Sequence, residues 1–334
     1  MGHHGAMRVV VCADKFRGTA TAREVGDAVA VAVARHGGEC VVQPMADGGE
    51  GTLDAFGGPN RRTIVTGPLG SPVEAAWMLR DRVAVIEMAQ ASGLLLAGGA
   101  EGNDPMEATT AGTGELIAAA AEAGARRIIV GLGGSATTDG GLGALRAMAP
   151  LARYRGVALE AACDVRTRFV DAAAVFGPQK GATPAQVLLL ERRLRRLAQV
   201  YRDEHGIDVA TLDRSGAAGG LAGGLAAAGA VLADGFGLIA EAVDLYDAIE
   251  RADLVITGEG RLDASSFAGK VVGGVAGLAA AAGVAAVAIV GRADDGVDSP
   301  IPIIDLRERF GEERAMVDTL ACLTEAAGAL IASA

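Results

Sequence analysis

A short apolar run, Leu254-Val255-Ile256, breaks at Gly258-Glu259-Gly260 and is followed at once by Arg261, Asp263 and Lys270. Runs of this length and composition suit strands buried on both faces of a parallel sheet. The glycines permit a sharp turn with close backbone approach, and the Gly/Ala/Val text after Lys270 suits a helix. The same order of strand, charged glycine loop and helix appears near the start of the chain. Residues 8–12 read as a first strand, Asp14-Lys15-Phe16-Arg17-Gly18 as a loop with charges of both signs, and residues up to 35 as a helix capped by Thr19 or Thr21. Residues 40–43 form a second expected strand, closed by Pro44-Met45-Ala46-Asp47-Gly48-Gly49-Glu50-Gly51 ahead of a helical stretch. This repetition predicts βαβ units and a parallel sheet. Ligands of such sheets bind outside the carboxyl ends of the strands, so these loops are placed to handle an anion, with or without a metal.

The 334-residue chain is long for one domain. After Gly57-Gly58-Pro59 the character changes, and residues 62–88 read as short strands joined by Gly-Pro and Ser-Pro turns, an antiparallel pattern. The βαβ pattern returns at Leu254 and runs to a terminal helix. The expected fold is α/β with two domains. A doubly wound, mostly parallel, Rossmann-like domain comprises residues 7–60 plus 236–334, and a mixed α/β domain at 61–235 is inserted into it. The active site is expected in the cleft between them. Residues 216–237, rich in Ala and Gly, are expected to pack closely on another backbone, and the basic text ERRLRRL in a helix at 184–201 reads as a solvated face.

Composition narrows the function. Hydrophobic residues make up 51% but aromatics only 3%, so the core is built from Ala, Val, Leu and Ile. A net charge of −11 argues against a nucleic-acid surface. An anionic substrate must then be held by a local cluster of cations and N–H groups against the overall field. Cys12, Cys40, Cys163 and Cys322 are scattered without a CxxC pair, which fits reduced thiols in the cytoplasm. His3 and His4 are set aside from site reasoning. Residues 271–291 carry no charge and are long enough to span a bilayer, but they are mostly Ala and Gly and are divided by Gly283. A buried helix followed by a buried strand is the better reading, without a membrane role.

Residues 127–130, an expected strand, lead into Gly131-Leu132-Gly133-Gly134-Ser135-Ala136, a G-x-G-x-x-A match that would suit a dinucleotide. The acidic partner about twenty residues on is not clearly present. The same glycines with Ser135, Thr137 and Thr138 also make a nest of donors for a carboxylate or phosphate, and anion binding is the preferred reading. A Walker A pattern, a protein-kinase signature set and a G-x-S-x-G elbow are all absent from the sequence, and only His36 and His205 remain as bases. Phosphoryl transfer needs cations on phosphate oxygens, carboxylates for Mg²⁺ and a base for the attacking hydroxyl. Asp47, Glu50, Asp164 and Lys180 offer these residue types in glycine-containing loops.

Taken in order, DKFRGTATA at 14–22, PMADGGEGT at 44–52, GTGELI at 112–117, GGSATTDGG at 133–141, AVFGPQKGAT at 174–183, GAAGGL at 216–221 and ADLVITGEGRLD at 252–263 resemble the bacterial type I glycerate kinases. The resemblance covers nearly the whole chain. It implies an ATP- and Mg²⁺-dependent kinase that phosphorylates D-glycerate at the 2-hydroxyl; the enzyme is expected to be cytoplasmic and either monomeric or homodimeric. It implies two α/β domains with the active site between them. Arg17, Ser135 and Asp139 would then hold the substrate, and Asp47 and Asp164 would serve as base or metal ligand. Lys180, Arg261 and Lys270 would neutralise phosphate charge, and Gly48, Gly49, Gly258, Glu259 and Gly260 would line the nucleotide. Asp47, Glu259 and Asp263 would lie at the metal. The chain departs from the family where DNPL usually follows ACDV: here Arg166-Thr167-Arg168-Phe169 stand instead. Lys15 and Arg17 also stand where Ser and Lys are usual in the first loop. Arg for Lys replaces a point donor by a fork. Two other readings stay open: an NAD-dependent dehydrogenase, and a hydroxy-acid binding protein that has lost turnover.

Overall fold

The computed structural model describes residues 6–267 and 269–333, so His3 and His4 lie outside it. The protein is α/β and divides into two compact units. One comprises the chain to Asp47, Asp54–Phe56 and the chain from Gly235; the other comprises Gly48–Leu53 and Gly57–Asp234.

The first unit is built on five parallel strands in the order Ile303–Asp305, Ala285–Val290, Leu254–Thr257, Arg8–Val11 and Glu39–Val42. Successive side chains of a strand point to opposite faces, and here both faces are covered. Val9, Val11, Ile256 and Ile289 meet Val25, Val29, Leu323 and Ala327 on one side. Val10, Val255 and Ala286 meet Phe236, Ile239, Val271 and Val275 on the other. Burial on both faces is why these strands are uninterrupted apolar text. Helix Ala22–Arg35 buries Val25, Val29, Ala32 and Val33, a 3.6-residue period. Its N-terminus is closed by a capping box: Thr21 Oγ1 accepts from the Glu24 N–H while Glu24 accepts from the Thr21 N–H at 2.8 Å. Such a cap is worth about 1 kcal/mol. The uncharged 271–291 text forms helix Val271–Ala282, stopped by Gly283 at φ 70°, and then the Ala285–Val290 strand. Among the described residues no helix is long and apolar enough to cross a membrane.

The second unit holds a six-stranded sheet in sequence order. Arg61–Thr66, Pro72–Arg80 and Val83–Glu87 run antiparallel, whereas Val83–Glu87, Arg127–Gly131, Ala158–Cys163 and Val231–Asp234 are mutually parallel. Ile86, Ile128, Val130, Leu116, Ile117, Leu221 and Leu225 form its main core. The Gly48–Leu53 turn belongs here, earlier than a boundary at residue 61 implies. The reason is local: the buried Glu87 carboxylate accepts the N–H groups of Gly51 and Leu53 at 3.0 and 2.9 Å. The glycine-rich 216–224 stretch packs on backbone, as its composition suggests. A Cβ at Gly219 would lie 1.9 Å from the Thr137 carbonyl oxygen, and one at Gly224 would lie 2.8 Å from the Gly140 oxygen. In helix Pro184–His205 the arginines at 192, 193, 195 and 196 are exposed, while Leu190, Leu194, Ala198 and Tyr201 are buried.

Candidate active site

In the first unit the loops that follow three adjacent parallel strands are stitched together. The Asp14 N–H donates to the Gly258 carbonyl at 2.9 Å, Thr257 Oγ1 to the Cys12 carbonyl at 2.8 Å, and the Met45 N–H to the Ala13 carbonyl at 3.0 Å. The result is an acidic group at the strand ends. Burial lifts the Asp14 carboxyl to about 6; the Lys15 ammonium, 3.6 Å away, opposes the shift, and the Asp47 charge adds to it. Glu259 is raised further, to about 7, again first by burial. A Ser266 hydrogen bond and Lys270 pull it down, and Asp14 and Asp263 push it up. Glu259 Oε1 is buried and has no hydrogen-bond partner. Two carboxyls held near neutrality by burial and mutual repulsion are what a bound cation would discharge.

The other expected residues of this unit are placed as follows. Asp263 accepts from the Ser265 N–H at 2.7 Å and from its hydroxyl at 2.5 Å, which holds it below the usual carboxylate range. It braces the turn Ala264–Phe267 rather than standing open for a metal. Arg261 makes a two-pronged pair with Asp294, at 2.9 and 2.7 Å, on the surface. Lys270 donates to Ser265 Oγ at 2.9 Å, and Arg17 is exposed. Crowding accounts for Gly258 and Gly260: a Cβ at Gly258 would sit 2.0 Å from the Ile289 carbonyl oxygen, and one at Gly260 would sit 3.1 Å from the Arg17 nitrogen. Among the described residues no three His, Cys, Asp or Glu side chains converge on one metal-sized point. The oxygen donors still suit Mg²⁺, which keeps several waters and takes one or two carboxylates plus phosphate oxygens. The orphaned Glu259 oxygen is the observation that favours such a role.

The second unit presents a different chemistry at its own strand ends. After Arg127–Gly131 the chain passes through Ser135, Thr137, Thr138 and Asp139 before helix Leu142–Met148 begins. Lys180, 2% exposed, donates from Nζ to Ser135 Oγ at 2.8 Å and to the Thr137 carbonyl at 2.7 Å. Burial draws it down to about 7, with Asp139 opposing. The hydroxyls of Thr137 and Thr138 and the Asn103 Oδ1 are buried without partners. Asn103 Nδ2 donates to the Ala136 and Lys180 carbonyls at 3.0 and 2.9 Å, which ties the backbone at these two residues together. Hydroxyls that lack acceptors, beside a buried lysine, suit a small oxyanion.

Asp139 is employed otherwise. Its carboxylate accepts from the N–H and hydroxyl of Thr110 and from the N–H groups of Gly141 and Gly143, all within 3.2 Å. Four donors make it the brace of the loop, with little left for a substrate. Gly131 and Gly133 are explained by packing: a Cβ at Gly133 would lie 2.4 Å from Gly49 Cα, and one at Gly131 would lie 2.8 Å from the Gly48 oxygen. Gly48 itself has φ 93° and would meet the Ala162 carbonyl oxygen at 2.6 Å. With the helix starting only at Leu142, the geometry is not that of a dinucleotide fingerprint, in which the helix opens on the glycines. Asp164 is exposed at the end of Ala158–Cys163. Beside it Arg214, at φ 69°, donates to the Cys163 carbonyl at 2.9 Å and reaches Asp234 at 3.7 Å.

Sequence reasoning passed over Asp14, Asn103 and Arg214 as site residues. Asp14 stood in a charged loop at a strand end, which was the available signal; Asn103 and Arg214 lie in text with none.

The family of the chain follows from comparison. A profile of the glycerate kinase family matches residues 9–153 and 149–330. The glycerate 2-kinase of Escherichia coli K12 is 38% identical over 313 residues, covering 82% of each chain, and a glycerate kinase of Bacillus subtilis 168 is 39% identical over 325 residues, covering 85% of each. The structure superposes on that of a Salmonella typhimurium LT2 protein assigned as glycerate kinase 2, with a TM-score of 0.83, 34% identity and coverage of 98% of this chain and 99% of the other. An enzyme that moves a phosphoryl group from ATP to an alcohol is the class so defined. The chain belongs to the glycerate kinase family. Nothing in these likenesses supports a nicotinamide-dependent dehydrogenase.

Proposed function

We propose that the protein transfers the γ-phosphoryl group of ATP to D-glycerate and yields 2-phosphoglycerate, as a cytoplasmic enzyme. The observation that carries this reading is the likeness to the Escherichia coli glycerate 2-kinase over 82% of both chains. The site chemistry is in keeping with it. Ser135, Lys180 and the unpartnered hydroxyls of Thr137 and Thr138 suit the carboxylate and hydroxyls of a small hydroxy acid. Asp14, Asp47 and Glu259 would hold Mg²⁺, which supplies charge neutralisation on the phosphate oxygens. Lys270 and Arg17 add positive charge to that group, and Arg261 can do so on release from Asp294. Asp164 offers a further carboxylate to the reaction.

ADP release measured with D-glycerate, ATP and Mg²⁺ tests the activity, and ³¹P spectroscopy of the product tests the position. Glycerate-dependent turnover giving the 2-phosphate is expected. The 3-phosphate would refute the regiochemistry alone. Tight binding of hydroxy acids without any turnover would instead identify a binding protein.

A further inference from the structure

Lys180 and Ser135 form a pair whose geometry does not fix where the proton lies. The Thr137 carbonyl, 2.7 Å from Lys180 Nζ, can only accept, whereas the Ser135 hydroxyl at 2.8 Å can accept or donate. An ammonium donates to both. A neutral amine donates to the carbonyl and takes the serine proton on its lone pair. Little else in the surroundings favours either form. No carboxylate lies within ion-pair distance of Lys180 among the described residues. The Phe176 ring is 6.0 Å away, at the outer limit of a cation–π contact. Asn103 is neutral and donates to the Lys180 carbonyl. Asp139 is the charged group that favours the ammonium, but its oxygens are taken up by Thr110, Gly141 and Gly143.

We propose that Ser135 and Lys180 are a proton relay for the attacking hydroxyl, in which Ser135 Oγ touches the substrate and Lys180 acts through Ser135 as a positioning residue and proton store. The proposal rests on the kinase reading above. In the step, the substrate oxygen bonds to the γ-phosphorus of the nucleoside triphosphate as the bond from that phosphorus to the β–γ bridging oxygen breaks, and the nucleoside diphosphate leaves. The hydroxyl proton passes to Ser135 Oγ, whose own proton passes to the lone pair of Lys180. The resulting ammonium returns that proton to water after product release. Burial, which draws Lys180 to about 7, makes both protonation states available near neutrality.

A relay and a fixed cation predict opposite slopes. If Lys180 must begin neutral, kcat rises with pH and levels above about 7, whereas a lysine needed as a charge makes kcat fall over the same range. The experiment is the kcat profile from about pH 5.5 to about pH 9 for the wild type, Lys180→Arg and Ser135→Ala, with circular dichroism to verify folding. Arginine keeps the charge and cannot release its proton. With Mg²⁺ and ATP saturating at every pH, so that Asp14 and Glu259 stay ionised, the expected result is a rising wild-type profile, with both variants down by about 10²-fold or more and without the rise. A falling wild-type profile, or Lys180→Arg within about threefold of wild type, overturns the relay.

The lysine titration, followed by NMR in protein labelled at its lysine side chains, separates this failure from failure of the kinase reading. If the protein turns over no acid at all, a Lys180 signal that titrates near neutrality and moves in Ser135→Ala still upholds the coupled pair. An ammonium that persists to about pH 9 overturns it whatever the substrate.

Discussion

The two units solve one geometric problem in opposite electrical senses. Each gathers polar residues where parallel strands end, the position at which α/β sheets open to ligands. In the first unit the buried groups are acids: Asp14 and Glu259 are held toward their neutral forms, and Glu259 Oε1 has no partner. In the second the titratable group set among the unpartnered hydroxyls is a base, Lys180, drawn toward its neutral form, while the buried Glu87 carboxylate is taken up by the Gly51 and Leu53 N–H groups. Under the proposed reaction, the difference would let an acidic chain handle two anionic reactants. The acids suit a cation brought in with a phosphate chain, and the hydroxyls and lysine suit an acid that arrives without one. Net charge alone, at −11, would not distinguish the two.

The largest expected effect breaks the first unit's half of this comparison. Asp47→Asn removes a charge that acts on Asp14 but leaves the volume unchanged. Turnover should fall by about 10²-fold or more while the thermal midpoint holds. Turnover near that of the wild type would remove Asp47 from the machinery. The second unit breaks through its backbone instead. In Gly219→Ala the new Cβ would meet the Thr137 carbonyl oxygen at 1.9 Å, at a residue with φ 67°. Overpacking and the left-handed backbone together should cost about 2–5 kcal/mol, read as a lowered denaturation midpoint. The same carbonyl accepts from Lys180, so the variant should also disturb the Lys180–Ser135 pair.

These two variants also show what was legible in the sequence. The strands at 8–12 and 254–256 could be read because burial on both faces forces unbroken apolar text. The antiparallel run at 62–88 could be read from its turns. Charged glycine loops marked where the candidate site lies, since strand ends and glycines are local features. Their detailed use was not local. Glycines at 133, 219 and 258 answer backbone that arrives from residues 49, 137 and 289, which pairwise spacing along the chain does not disclose. Asp139 and Asp263 resembled ligands, yet each braces a turn through hydrogen bonds that depend on how the loop closes. Asn103 and Arg214 belong to stretches without periodicity, so only the folded chain brings them to the site.

The opposite senses of burial sharpen into opposite pH slopes. A carboxyl whose folded pKa is raised binds more protons in the folded state. Its contribution is fully present below the unfolded pKa and is lost as pH rises through the folded value. For Asp14 and Glu259, raised from 3.8 and 4.5 to about 6 and about 7, the loss falls between about pH 4 and about pH 7. Lys180 is lowered from 10.5 to about 7, so the unfolded chain binds the extra proton and stability rises from about pH 7 toward about pH 10.5. Glu259→Gln should flatten the first slope and raise the thermal midpoint at neutral pH, and Lys180→Met should flatten the second. Mg²⁺ with ATP should recover stability in the wild type more than in Glu259→Gln. Equal recovery in both would separate Glu259 from the metal.

The smallest effect is expected at Arg166, in the 166–169 segment that replaces the expected DNPL text. Phe169 is the structural residue there: it is fully buried and packs edge-on against Tyr201 at 6.0 Å, and its N–H donates to Ser215 Oγ at 2.9 Å. Arg166 and Arg168 point outward into pairs with Asp213 and Asp171, with side chains 77% and 63% exposed. Surface pairs of this kind contribute little because water and salt screen them. Arg166→Ala should therefore leave the thermal midpoint and the KM for the acid close to wild type. Phe169→Ala should lower the midpoint by an amount typical of emptying an aromatic core site. A marked rise in KM in Arg166→Ala, with the midpoint unchanged, would show that this segment selects the substrate. The second unit's binding group would then extend beyond Ser135 and Lys180 to the end of the Ala158–Cys163 strand.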